Sequence, residues 1–444
     1  MIPLIIKTIV LVFGIIGCFR PIILLYLFFI LPVAVYAPTM HGHLELFKLL
    51  SIGSINIYCH DYLLILIVIL LVIGVFNDPQ YSKNVINSPL SKFVLLLFFW
   101  NIMIGVLSLC KGFPVESVLR ILSVRSLMFI VLFVPLIPDI QLKKDTFIKA
   151  SLIIGFVLLC FAFVRYTFTY DVIKTSSGTL RSLDAISVVI FMFSTCYILF
   201  MSNLSQKSPM LAILIASIFG IGIVLAGHRS GLLVLFVAMG IFIFSYRFNL
   251  LTSVSLVFLA TAVFLFSILI IPSLRITAGQ SFFGDSFIRF NDTFKLENKT
   301  TEGRLSIWRE SYDVFKEKPL LGLGMFPRFS VYIRDHAVHS RIDSQKVYLH
   351  RAPHNLFVNK IIYEGLSGFL LLIFFIITIF YQFKREYFKN QNYAIFLKSY
   401  IIVFFMFSFF NASYTDPAGR IYLFTVLGLL NTVVVNYKYN NFKS

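Results

Sequence analysis

The sequence predicts an all-α polytopic membrane protein, with about 12–13 transmembrane helices and one large extramembrane loop that contains short helices. Three observations carry this. Apolar residues make up 59% of the chain and charged residues 13%, against roughly 25% charged in a globular protein. Apolar runs of spanning length recur from one end of the chain to the other. The runs are continuous rather than alternating, which selects helices over a barrel.

In order, the runs are 2–17, 21–37, 60–77, 92–110, 121–138, 149–167, 185–202, 209–226, 230–246, 250–271, 355–380, 395–411 and 420–437. The first two are short and separated only by Cys18-Phe19-Arg20-Pro21. Between 271 and 355 lies a polar stretch, too long for a passive linker. The chain therefore divides into an N-terminal transmembrane bundle (1–271), the large loop (272–354) and C-terminal transmembrane helices with a short tail (355–444). Short segments bearing Lys143, Lys144, Lys207, Arg247, Lys384, Arg385 and Lys389 fall on one side if the span count holds. Short Lys/Arg-rich loops mark the cytoplasm, so the large loop faces outward.

Within the loop, Leu305, Trp308, Tyr312 and Phe315 recur at three- and four-residue steps, predicting a helix from about Glu302 to Lys316. Thr301 is a suitable N-cap, and Pro319 follows the C-terminal end. The loop carries 13 basic and 9 acidic residues, a net charge of +4.

The whole chain carries +18, from 38 basic and 20 acidic residues. In a soluble protein this balance suggests nucleic acid. Here the basic residues lie at span ends, where topology alone requires them, and no nucleic-acid partner is expected. The five cysteines, Cys18, Cys59, Cys110, Cys160 and Cys196, all lie outside the large loop and read as small apolar residues of spans or span ends.

A small set of residues carries the candidate chemistry. Arg229 sits at the outward end of two apolar runs joined by Gly227-His228-Arg229-Ser230-Gly231. An ionisable residue there is a functional candidate, and the alternative is a snorkelling anchor. Arg304 opens the predicted loop helix and suits bidentate contact with an anion; the alternative is a solvated charge beside Glu302 or Glu310. Pro353 suits a first helical turn, which leaves His354 and Asn355 among free backbone N–H groups at a positive helix end. A neutral His354 there can take a proton from an attacking hydroxyl; the alternative is an interfacial helix cap. Arg120 and Arg125, with Arg165, read either as extensions of a basic pocket or as helix-end anchors. His336, His339, His350 and His354 match no compact zinc spacing, so no metal is expected. The chain holds no P-loop and no GxSxG motif.

Arg229-Ser230-Gly231, Gly303-Arg304 with Trp308, Pro319-x-x-Gly322-x-Gly324, His354-Asn355 and Glu364-Gly365-x-x-Gly368 follow one another over roughly residues 210–437. In this order, with one long loop before three final spans, the sequence resembles the bacterial O-antigen ligase and O-antigen polymerase superfamily. The resemblance implies a glycosyltransferase of the bacterial inner membrane, with its active site facing the periplasm and no cofactor. The donor would be an oligosaccharide on undecaprenyl pyrophosphate. Arg229 and Arg304 would bind the pyrophosphate as leaving group. His354 would deprotonate or orient the acceptor glycan's hydroxyl, with inversion. Asn355, Arg120 and Arg125 would join the substrate-binding set, and a chain-length regulator is a candidate partner. The polymerase is the expected member, because the N-terminal half shows no ligase-specific feature. The alternatives are a ligase acting on lipid A-core and a non-enzymatic flippase or transporter, which would distribute charge through several span centres.

Overall fold

Proline following a short polar residue starts several of the helices. Asp78-Pro79, Ser88-Pro89 and Ser208-Pro209 each place an oxygen-bearing N-cap before a proline whose missing N–H costs nothing in the first turn. Asp78 accepts from Tyr81 N at 2.9 Å, Ser88 from Ser91 N at 3.1 Å and Ser208 from Leu211 N at 3.3 Å. The computed structural model describes residues 2–36, 48–52, 55–137, 140–168, 173–174, 180–181, 185–225, 229–246, 254–255, 308–309, 311–313, 315–325, 355–410 and 417–443.

The N-terminal helices are α1 (Ile2–Phe19) and α2 (Ile22–Tyr36), followed by an antiparallel hairpin of β1 (Lys48–Ile52) and β2 (Ile55–Tyr58). Next come α3 (Cys59–Asn77), α4 (Pro79–Asn87), α5 (Pro89–Cys110) and α6 (Val115–Ser126). A 3-10 turn, Leu127–Phe129, joins α6 to α7 (Ile130–Leu136). After α8 (Ile140–Phe168) a second small hairpin pairs β3 (Ile173–Lys174) with β4 (Leu180–Arg181). The chain continues as α9 (Ala185–Met201), α10 (Asn203–Lys207), α11 (Pro209–Leu225) and α12 (Arg229–Tyr246). The last three helices are α13 (Leu356–Tyr381), α14 (Gln391–Phe410) and α15 (Pro417–Lys443).

This is an all-α polytopic membrane protein. Among the described residues, six helices have the length and apolarity of a span: Cys59–Asn77, Pro89–Cys110, Val115–Leu136, Leu356–Tyr381, Gln391–Phe410 and Gly419–Asn440. Five shorter apolar helices accompany them. Two boundaries differ from the sequence reading. Lys143 and Lys144 were expected in a loop, but α8 already begins at Ile140; α15 likewise runs past Lys438 to Lys443. Lysine is a good helix former, so a loss of apolarity marks the edge of a span without ending its helix. The expected span 250–271 lies outside the described residues except for Val254 and Ser255.

The chain folds into two units, each discontinuous in sequence. The first comprises residues 1–47, 137–290 and 383–407. Its centre is α9, buried at every residue from Ser187 to Phe200. A helix that is apolar all round belongs in such a position. Phe193 meets Phe29, Phe396 and Tyr400 edge-on at centroid distances of 6.1, 5.4 and 5.2 Å. Small residues let neighbours close in, as Gly222 does beneath the Phe191 ring. Where lipid replaces water, such contacts stabilise by close packing rather than by removal of surface from water.

The second unit comprises residues 48–136, 291–382 and 408–444. Its most buried helix is α15, packed along α7, with Gly428 against Val134. Polar groups tie this unit together. Asn431 donates to Ser91 Oγ (2.9 Å) and accepts from Ser88 Oγ (2.7 Å), and Tyr81 donates to Asn436 Oδ1 (2.8 Å). The described part of the large loop belongs to this unit. Its helical residues run from Trp308 to Glu317 with positions 310 and 314 outside the described set. Ser311 is buried there, whereas Trp308 and Tyr312 of the predicted stripe are exposed.

Candidate functional site

The second unit buries an ion cluster built on α13. Asn355 caps this helix in extended geometry (φ −148°, ψ 123°), its Oδ1 accepting from Phe357 N at 2.8 Å and Val358 N at 3.1 Å. The free N–H groups expected at this helix end are thus partly taken by Asn355 itself. One turn further on stands Lys360, and one turn beyond that Glu364, an i,i+4 pair on one helix face.

Glu364 is 1% exposed and holds three donors. Its Oε1 lies 2.6 Å from Lys360 Nζ and 2.8 Å from Arg125 NH1, and its Oε2 accepts from Trp100 Nε1 at 3.0 Å. Arg125 NH1 also donates to Asn101 Oδ1 at 2.8 Å. A buried carboxylate stays ionised only when so surrounded. Arg420, also buried, donates to the carbonyl of Val124, the residue before Arg125, at 3.3 Å. Arg125 and Lys360 therefore meet one carboxylate among the described residues, a net positive charge suited to an anion.

Glycines make this arrangement fit. Gly368 leaves the space that the Glu364 side chain fills, since any Cβ at 368 would stand within it. At Gly365 the helix departs from helical geometry (φ 65°, ψ −163°), a left-handed φ that glycine adopts without strain. The break frees backbone groups on both sides, and the segment 319–324 satisfies them. Leu323 N donates to Ile362 O (2.8 Å) and Gly324 N to Tyr363 O (2.9 Å). In return Leu366 N donates to Pro319 O (2.7 Å) and Ser367 N to Leu320 O (3.3 Å). Gly322 (φ 62°) lies directly against the backbone of Ile362, Tyr363 and Gly365, where a side chain has no room. Pro319-Leu320-Leu321-Gly322-Leu323-Gly324 is thus a docking strap rather than a phosphate loop. Met325 anchors its far end, donating to Ser108 Oγ at 2.7 Å and packing on Ile104 and Val118.

A second polar group surrounds the start of α3. Asp61 Oδ2 accepts from Tyr58 N at 2.8 Å, and Ser123 donates to Asp61 Oδ1. His60 stacks on Tyr58 at 5.6 Å, with Nε2 3.4 Å from Asp61 Oδ1.

The candidate residues distribute as follows. Arg125 joins the ion cluster. Arg120, five residues earlier on α6 and so about 140° round the helix, is exposed and stands 5.6 Å over the Tyr58 ring. The structure does not bring these two arginines together. Asn355 caps the cluster's helix. Arg229 is the first residue of α12, in the first unit, and only its backbone is described. Arg304 and His354, with Arg165's side chain and the other loop histidines, lie outside the described residues. Sequence reasoning missed Lys360, Arg420, Trp100 and Asn101, and named Glu364 only within the motif Glu364-Gly365-x-x-Gly368, with no role. A signal was present for two of them: a Lys and a Glu four residues apart inside an apolar span are costly unless paired or functional.

No curated protein sequence matches this chain. Residues 210–373, which contain Arg229, Arg304, His354, Lys360 and Glu364, match the model of the family described as O-antigen ligase, and this match supports the superfamily of O-antigen ligases and polymerases without distinguishing one from the other.

Proposed function

We propose that this protein is an O-antigen polymerase of the bacterial inner membrane. It joins repeat units from undecaprenyl-pyrophosphate-linked donors at the periplasmic face. The observation that carries this reading is the family match over 210–373, which includes each residue needed for the chemistry. The acceptor glycan's hydroxyl oxygen attacks the donor's anomeric carbon. The bond from that carbon to the diphosphate oxygen breaks, and polyprenyl diphosphate leaves with the electron pair. His354 takes the hydroxyl proton, and attack opposite the leaving group inverts the anomeric centre. Arg229 and Arg304 offset the charge that develops on the diphosphate. No metal or organic cofactor enters this step. Arg125 enlarges the basic surroundings, Asn355 fixes the start of the helix after His354, and Arg120 meets the headgroup region. A chain-length regulator is the protein partner in this reading.

The second reading is a ligase that moves the lipid-linked glycan onto lipid A-core, the activity that the matched family's description names. Lipopolysaccharide from a deletion strain separates the two. Core bearing one repeat unit marks a lost polymerase; bare core with accumulated lipid-linked polymer marks a lost ligase. Replacing Arg229, Arg304 or His354 by Ala should abolish long chains while the protein stays inserted. Wild-type chain lengths in all three variants would remove these residues from the chemistry.

A further inference from the structure

An apolar groove of about 610 Å³ runs between α5 and α13 in the second unit. Its walls are two matched stripes, Leu96, Phe99, Trp100 and Met103 on one helix and Ser367, Leu370, Leu371 and Phe374 on the other. Each stripe repeats the steps i, i+3, i+4 and i+7, so one face of each helix is presented along about 11 Å. Phe99 is 65% exposed and Phe374 54% exposed, so the outer edge of the groove is open. Trp100 belongs to both features of this unit: its ring lines the groove, while its indole N–H donates to Glu364 at 3.0 Å. The groove therefore ends at the cluster of Arg125, Lys360 and Glu364. Ser367, on the opposite wall, donates to Leu320 O and fixes the docking strap at the same place.

We propose that this groove seats the isoprenoid chain of the diphosphate-linked substrate, with the Arg125–Lys360–Glu364 cluster beneath its headgroup. In a bilayer an apolar groove gains nothing from water exclusion, because lipid tails are as apolar as its walls. Selection has to come from contact shape and from the charge at its end. The aromatic faces of Phe99, Trp100 and Phe374 suit a chain of planar alkene units. Among the described residues Arg125 and Lys360 meet one carboxylate at the groove's end, and this net positive charge suits a diphosphate, which carries more than one negative charge and no cation of its own. A zwitterionic phospholipid brings its own ammonium and does not answer that excess. The proposal rests on the polyprenyl-diphosphate reading above and adds where the chain lies.

The test uses the full-length protein in lipid nanodiscs and a polyprenyl diphosphate carrying a diazirine in its tail. After irradiation, labelled peptides should come from 96–103 and 367–374. Unlabelled undecaprenyl diphosphate should displace the label, and phosphatidylglycerol in equal amount should not. Met103→Trp and Leu370→Trp, each filling one wall, should lower labelling about ten-fold, equivalent to 1.4 kcal/mol. Phe244→Trp, at an exposed position of the other unit, should leave it unchanged. Labelling spread evenly over the spans, or displaced equally by phosphatidylglycerol, overturns the groove. A turnover arm compares donors with undecaprenyl and two-isoprene tails. The two filled variants should raise KM for the long-tailed donor only, and an equal rise for both overturns the proposal. If the unaltered protein labels in the groove but transfers no sugar, the groove stands and the glycosyltransferase reading fails.

Discussion

The two units solve the same problem, packing helices where lipid replaces water, with different materials. The first stacks aromatic rings around α9, and Phe193 alone meets three of them within 6.1 Å. The second buries Glu364, Arg125 and Arg420, pairs half-buried Lys360 with Glu364, and links its helices through Asn431, Ser88, Ser91 and Tyr81. Rings are the simpler way to fill space. Buried ions are costly and tolerate little change, and among the described residues they lie in the second unit.

Substitutions sharpen this contrast. Glu364→Ala leaves buried Arg125 and half-buried Lys360 without their carboxylate and should cost about 3–5 kcal/mol, read as lost thermal stability of the detergent-solubilised protein. Lys360→Met in the same chain should recover part of it. An unchanged melting temperature for Glu364→Ala would mean that the cluster is not closed as described. Gly365→Ala forces a side chain into a left-handed φ and against the backbone of Leu320. About 2 kcal/mol or more should be lost, with protease sensitivity appearing near the 319–324 strap.

Tyr81→Phe removes the half-buried hydroxyl that donates to Asn436 Oδ1 and Pro135 O and should cost about 1 kcal/mol. It also changes the alkaline limb. Burial, with Asp78 and Tyr439 nearby, pushes the Tyr81 phenol up to about 12 from an ordinary 10.0. The folded state thus holds this proton where the unfolded chain has released it. That stability is complete below pH 10.0 and declines as pH rises towards about 12. Melting curves across this window should be less steep in pH for the phenylalanine variant. The smallest effects belong to the ring-packed unit. Phe193→Leu should cost under about 1.5 kcal/mol. Gly240→Ala, whose added Cβ meets nothing within 4 Å, should be neutral or gain up to about 1 kcal/mol.

Spans were legible because continuous apolarity is a local property of the chain. The run 60–77 became Cys59–Asn77 and the run 355–380 became Leu356–Tyr381. The helix α4, which spans 79–87 and has little apolarity, was not legible, nor was the start of α8, for the same reason. The ion cluster was legible only in part. Arg125 stood out as a charge near a span, but its partner Glu364 lies 239 positions away in sequence, and Trp100 meets that carboxylate across a separation of 264. No periodicity reaches so far. Gly322, Gly324, Gly365 and Gly368 could be seen as punctuation, yet their purpose depends on two backbones meeting through Leu323–Ile362 and Leu366–Pro319. Arg304 and His354, singled out by chemistry, lie outside the described residues, so their part in the site is a proposal.

The most direct test is a reconstituted reaction in vesicles with undecaprenyl-pyrophosphate-linked repeat units. A growing glycan should appear with one free polyprenyl diphosphate released per bond formed. The reaction should persist in EDTA and vanish with Arg304→Ala. Movement of the lipid-linked unit across the bilayer with no new glycosidic bond, or full activity in the Arg304→Ala protein, would contradict the account.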